Sequence, residues 1–293
     1  YVRVLSWDGA VWNQMGGDIE GEAPLDLFGG LNDFGPPGNA VALSSDGTVL
    51  AAGATMNDEN GENAGQIRVF DWDESINDWL QRGSDLQGNT NDHFGYSVSM
   101  SSDGSIVAGG GVTANGSERG HVRVFQWQSS TWVQLGTDIR SGEENDGTGR
   151  SISLSNDGLT LAVQTGVNSQ GELAGLCKVY TYDSSNWVQR GQDINSANSA
   201  NENVFSVSLS GNGDTVVFGA ATFAGAGEDD NQGIVRVFQF TGSSWIQSGG
   251  DIVGDNDDLL GSAVAISEDG TRVAVGASGH NQFTGVARVF ELS

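Results

Sequence analysis

Short segments that alternate apolar and polar residues recur along this chain at a nearly fixed spacing. Gln66-Ile67-Arg68-Val69-Phe70-Asp71-Trp72 returns as His121-Val122-Arg123-Val124-Phe125-Gln126-Trp127. The pattern appears again around Lys178-Val179-Tyr180, Arg236-Val237-Phe238 and Arg288-Val289-Phe290, and near the start as Arg3-Val4-Leu5. From Val69 onward, the shared Val recurs after 55, 55, 58 and 52 residues. Alternation with period two predicts strands. A period of about 50 residues built from strand formers predicts propeller blades.

The second copy gives the blade most clearly. Ser97-Val98-Ser99-Met100 predicts a strand A, and Ser102-Asp103-Gly104 a tight turn. Ile106 to Gly110, with its small residues, predicts strand B. His121 to Trp127 predicts strand C, and Trp132-Val133-Gln134-Leu135 opens strand D. Four antiparallel strands make one blade. The expected architecture is all-β: a single β-propeller domain over residues 1–293, with strands C near 2–7, 66–72, 121–127, 176–182, 234–240 and 286–292. A five-bladed ring closes if the N-terminal strand D, Trp12 to Ile19, completes the last blade. Two C strands then compete for one place, so the alternative is part of a six- or seven-bladed propeller. The first interval, Val4 to Val69, is longest, and an insertion over 21–38 carries all three prolines.

Residues that recur at fixed repeat positions are expected to pack rather than to act. Trp12, Trp79, Trp132, Trp187 and Trp245 open D strands, and Trp7, Trp72 and Trp127 close C strands. A cation stands at one position of strand C in all six copies: Arg3, Arg68, Arg123, Lys178, Arg236 and Arg288. A repeated clamp between blades, stacking on aromatics or pairing with carboxylates, is the expectation. Cys177, the lone cysteine, occupies an Ile or Val position and reads as a buried small hydrophobe.

Phe94-Gly95 before strand A, Ser101-Ser102-Asp103-Gly104 after it, and Gly53-Ala54, Gly219-Ala220 or Gly276-Ala277 closing strand B resemble FG-GAP repeats. Such repeats build the seven-bladed propeller of integrin α-chains and many microbial surface proteins. Trp132 to Ile139 is similar to repeats in secreted proteins of marine microbes and algae. Two copies depart from Phe-Gly, at Thr148-Gly149 and Val204-Phe205, and the integrin-type calcium loop is absent. The resemblance therefore implies a binding or adhesion role but carries over no calcium ligands.

Charge then singles out one face. The chain has 38 Asp and Glu against 12 Lys and Arg, a net charge of -26. This disfavours nucleic acid, and no apolar run is long enough for membrane insertion. It favours cations, basic partners and a saline, extracellular setting. In a blade meander the D–A and B–C loops share one face, and they hold about two thirds of the acids. Candidate binding residues there are Asp58, Glu59, Glu143, Glu144, Asp146, Glu228, Asp229, Asp230, Asp255, Asp257 and Asp258. Asp255, Asp257 and Asp258 are the candidate Ca2+ ligands by oxygen type and spacing. The three His stand at unrelated repeat positions, and no nucleophile or metal motif appears. The expectation is a non-enzymatic binding or adhesion module for a protein or glycan ligand. The alternatives are a structural subunit of a larger assembly with other chains and a lectin-like or carbohydrate-active propeller.

Overall fold

The computed structural model describes residues 1–30, 40–112, 120–140, 147–167, 173–195, 206–222 and 231–292. Its strands fall into six antiparallel sheets in chain order. The first pairs Leu5–Trp7 with Trp12–Gln14. The second orders Val41–Leu43, Val49–Ala54, Gln66–Asp73 and Asp78–Gln81 as strands A to D. The third does the same with Phe94–Met100, Ile106–Gly111, His121–Gln128 and Thr131–Gln134. Ile152–Leu154, Thr160–Val167, Leu173–Tyr182 and Trp187–Gln189 make the fourth, and Ser206–Leu209, Thr215–Ala220, Ile234–Phe240 and Trp245–Gln247 the fifth. The sixth has three strands, Leu260–Ile266, Arg272–Ala277 and Val286–Glu291. Repeated A–B–C–D meanders packed in series are propeller blades.

The expected closure through Trp12 to Ile19 is not the arrangement found. Trp12–Gln14 pairs with Leu5–Trp7, and the sixth sheet ends at its strand C. Each terminal C strand thus has its own sheet, and the two do not compete. The outer faces of the end sheets stay open: Trp12 is 65% exposed and Val289 70%. Of the insertion expected over 21–38, the described part is 21–30. Phe28 bridges Ala54 as Phe94 pairs with Gly111, so residues 21–30 form an ordinary D–A connection. Residues 31–39, with Pro36 and Pro37, lie outside the described residues.

Buried apolar clusters fill each junction between sheets; Val49, Ile67, Val69 and Leu86 meet Phe94 and Val98, for example. The periodic Trp residues serve these junctions as expected. Trp79, Trp132, Trp187 and Trp245 each send Nε1 to a backbone oxygen of the preceding sheet's end: Met15, Arg82, Leu135 and Arg190. Across each C–D hairpin the same Trp meets an aromatic directly opposite, as in Trp72 with Trp79 and Phe240 with Trp245. Cys177 is buried between the fourth and fifth sheets, and burial pushes its thiol up to about 12.

Strand A is an edge, and its free N–H groups need partners. The serines of one strand A supply them to the next. Ser99 Oγ accepts from Leu154, Ser151 and Ser153 from Val207 and Leu209, and Ser206 and Ser208 from Val264 and Ile266. Beside them the A–B hairpins hand backbone bonds from sheet to sheet: Ser45 to Ser102, Ser102 to Asn156, Asn156 to Gly211 and Gly211 to Glu268.

The glycines of the FG and GA elements meet each other. A Cβ on Gly53 would lie 2.1 Å from the Gly95 oxygen, one on Gly110 2.0 Å from Gly149, and one on Gly219 2.2 Å from Gly261. The FG glycine of one sheet therefore packs on the strand-B glycine of the sheet before it. Thr148-Gly149 lacks the Phe but keeps this contact. In the fourth sheet strand B has Gln164 at this position, and the FG-glycine position that follows it in sequence is Val204, outside the described residues.

Candidate functional site

The fold consumes much of the acidic face. The strand-C cation pairs with the Asp that follows strand D in its own sheet: Arg3 with Asp18 at 2.7 Å, Arg123 with Asp138 at 3.2 Å, Lys178 with Asp193 at 3.9 Å and Arg236 with Asp251 at 2.8 Å. A Gln of strand D holds each Asp as well: Gln14, Gln81, Gln134, Gln189 and Gln247 donate to the carboxylate four residues on. The clamp is thus centred within a sheet rather than between blades. Arg68 and Arg123 add a reach into the loop arriving from the preceding sheet, at Glu20 O and Asp92.

A second acidic position closes the D–A turn. Asp26, Asp92 and Asp258 accept from the backbone N–H three residues earlier, and all three are buried. Asp258 also binds His280 at 2.7 Å and faces Arg288 at 3.6 Å. Burial works to raise its carboxyl, but the His280 and Asp255 bonds hold it below the usual range. Asp258 is therefore a turn cap, while Asp255 and Asp257 beside it are exposed. These three do not form a set of converging ligand atoms among the described residues. Asp58 is exposed and accepts from the Asn63 N–H at 2.7 Å. Glu143, Glu144, Asp146, Glu228, Asp229 and Asp230 lie outside the described residues.

What the structure brings together is Glu22, Glu59 and Asp85. One ligand oxygen from each lies within 4.8 Å of the others. They come from the loop entering the second sheet, its B–C loop and the turn after its strand D. The Gln66 amide donates to Glu22 at 2.8 Å and Gln87 to Glu59 at 3.0 Å. Arg68 stands 3.8 Å from Glu22 and 3.9 Å from Asp85, because its nitrogens bond Gln81 and Glu20 O instead. Burial, and then Glu22, pushes the Asp85 carboxyl above its ordinary range. Only Glu59 of this trio stood among the expected binding residues. Glu22 fell in the expected insertion, and Asp85 was one of many acids on the D–A loops.

On its other side Asp85 borders a cleft of about 240 Å³ between the second and third sheets. Arg123, Gln134, Phe125 and Trp132 line it. Deeper, His121 is fully buried and stacked on Phe94; neither ring nitrogen makes a hydrogen bond among the described residues, and Asp92 lies 3.6 Å from Nε2. Burial lowers its pKa to about 4, against the pull of Asp92. The unfolded chain, with His near its ordinary 6.5, therefore binds more protons between pH 4 and 6.5. Stability contributed by neutral His121 is present above about pH 6.5 and lost as pH falls toward 4. Urea unfolding across this window will give a stability slope that is shallower in His121→Leu; an unchanged slope would refute the assignment.

The profile of the FG-GAP repeat family matches residues 84–125. A search of curated proteins gives no match. Among solved structures, the chain is similar to a hypothetical selenium-binding protein from Sulfolobus tokodaii, with 12% identity and a TM-score of 0.53, over 84% of this chain and 61% of that one. It is similar to prolyl oligopeptidase B from Galerina marginata, with 12% identity and a TM-score of 0.51, over 86% of this chain but 33% of that one. The β-propeller domain of the Trilobed protease from Pyrococcus furiosus aligns with 10% identity and a TM-score of 0.49, over 86% and 67%. The likenesses to the first two concern the fold alone. Residues 84–125 match the FG-GAP repeat, and the chain whose sheets restate their pattern is a β-propeller.

Proposed function

We propose that the protein is a non-enzymatic binding module whose acidic loop face takes a basic protein surface, in an adhesive role outside the cell. One observation carries this reading: Arg3, Arg123, Lys178 and Arg236 are held in clamps, while Glu20, Glu22, Glu59, Glu62, Asp255 and Asp257 remain exposed on the loops of one face. Unneutralised charge of one sign on rigidly held loops steers and selects an opposite partner. The FG-GAP repeat at 84–125 is consistent with binding. The cleft beside Trp132 supports the lectin-like alternative less well, because Trp132 is already fixed through its bond to Arg82 O.

Fluorescence polarisation with a labelled Lys/Arg-rich peptide, in EDTA, tests the reading. Affinity should fall steeply with added salt. Joint substitution of Glu20, Glu22, Glu59 and Glu62 by Gln should weaken it about tenfold, a few tenths of a kcal/mol per charge. Glu74→Gln, at a C–D turn, should leave it unchanged. Equal affinity of the four-site variant and the unmodified protein would refute the acidic-face reading.

A further inference from the structure

Leu25 is 84% exposed and Phe283 79%, the two highest values for large apolar side chains among the described residues. Trp12 and Val289 owe their exposure to the open end sheets, but Leu25 and Phe283 stand on no sheet. Leu25 lies in the D–A loop entering the second sheet and Phe283 in the B–C loop of the sixth, so both belong to the face that carries the exposed acids. The backbone marks the same two residues independently. Leu25 precedes the turn cap Asp26 and has a φ of 74°. The residues preceding the other two caps, Asn91 and Asp257, both have a φ of 62°. Asn and Asp tolerate this left-handed conformation, and leucine does not favour it. Phe283, with a φ of 66°, ends a left-handed run that begins with Asn281 at 49° and Gln282 at 56°. Neither burial nor backbone preference accounts for a Leu and a Phe at these positions. A local rule broken with no gain inside the fold points to a contact outside it.

We infer that Leu25 and Phe283 are apolar anchors of the acidic face, and that the partner is a basic protein surface that also offers apolar contact. The inference deepens the acidic-face reading above and rests on it. Charge complementarity fixes the partner's chemistry. Glu20 and Glu22 precede Leu25 in its loop, and Gly279 of the Phe283 turn packs on the backbone of Asp257, whose side chain is exposed with that of Asp255. Both turns are also firmly held. Asp26 accepts from the Ala23 N–H at 3.0 Å and from the Asn57 amide at 3.1 Å. On the other turn His280 bonds Asp258 at 2.7 Å, the Gly279 N–H donates to the Asp258 backbone oxygen at 3.0 Å, and the Phe283 N–H to the Gly279 oxygen at 3.1 Å. A side chain presented on a fixed backbone loses little freedom on docking. Charge then steers the encounter, and burial of the anchors slows its reversal.

The test compares two labelled peptides of equal length and equal lysine content in fluorescence polarisation with the full chain. One alternates Lys with Leu and the other Lys with Ser. The Lys/Leu peptide should bind about tenfold tighter or more, the effect of burying apolar side chains. Leu25→Ser and Phe283→Ser should each reduce this preference, and the double variant should erase it while leaving the Lys/Ser affinity unchanged. Ile76→Ser, 56% exposed at a C–D turn on the opposite face, should leave the preference intact. Leu25→Asn should lose as much preference as Leu25→Ser and raise the urea midpoint, because Asn suits the left-handed position. A lowered midpoint would show that Leu25 serves the fold and would overturn the inference. Equal binding of the two peptides by the unmodified protein, or a preference that survives the double variant, would overturn the anchors and leave the charge reading standing. Binding of neither peptide would overturn both.

Discussion

Gly110→Ala is expected to destabilise the protein by about 3 kcal/mol or more, at the upper end of over-packing costs. Gly110 does not need a positive φ, so its backbone accepts alanine and the whole penalty is packing. The new Cβ would stand 2.0 Å from the Gly149 carbonyl oxygen and 2.5 Å from Ser97 Oγ. Neither neighbour moves freely, since one is backbone and the other bonds that same carbonyl. The third and fourth sheets must separate locally, and close-packed clusters on both sides resist it. Gly250→Ala is the matched control, with no atom within 4 Å and no positive φ. Urea unfolding of both variants decides the matter; a Gly110→Ala cost below about 1 kcal/mol would mean that the glycine contact is incidental.

Arg123→Ala should cost about 3–5 kcal/mol, the range for removing one partner of a buried ion pair. The Arg123 side chain is 10% exposed, and Asp92, whose carboxylate it meets at 3.2 Å, is 8% exposed. The guanidinium also bonds Asp138 and lies over the Phe94 ring at 5.6 Å. Without it, Asp92 is left as a buried charge beside a neutral His121, 3.6 Å away. Arg123→Met keeps the apolar stem and should rescue little, because the carboxylate stays uncompensated. Arg123→Met/Asp92→Asn removes both charges and should recover a large part of the loss. Stability measured through this double-mutant cycle tests the account; a double variant as weak as Arg123→Met would sink it.

The strands were legible because their signals are local. Strand C at 121–127 and its copies appear within a residue or so at most of their ends, and the periodic Trp residues pack where recurrence placed them. The A-strand pattern Ser-Val-Ser carried a signal that alternation alone does not decode: its hydroxyls face the backbone of the next sheet, a partner one period away. The spacing of about 15 residues from the strand-C cation to its Asp was equally present in the sequence. It would have marked Asp138, Asp193 and Asp251 as structural acids before any geometry was known. Glu22, Glu59 and Asp85 offered no such signal. They lie 37 and 26 residues apart in unrelated loop contexts, and only the packing of the first two sheets makes them neighbours. Ring closure failed as an inference for a related reason. Strand counting fixes which strands exist, whereas pairing depends on which edge reaches which.

The glycine contacts bear on how such a chain can change over generations. Each contact joins the strand-B glycine of one period to the FG glycine of the next, so the unit under joint constraint straddles the boundary between repeats. A duplication or exchange that moves one whole repeat brings strangers together at both of its seams. At one seam the sequence has Gln164 and Val204 at the positions of the two glycines. Substitutions on this scaffold should therefore be inherited in pairs across seams, and the junction rather than the repeat is the piece that shuffles intact.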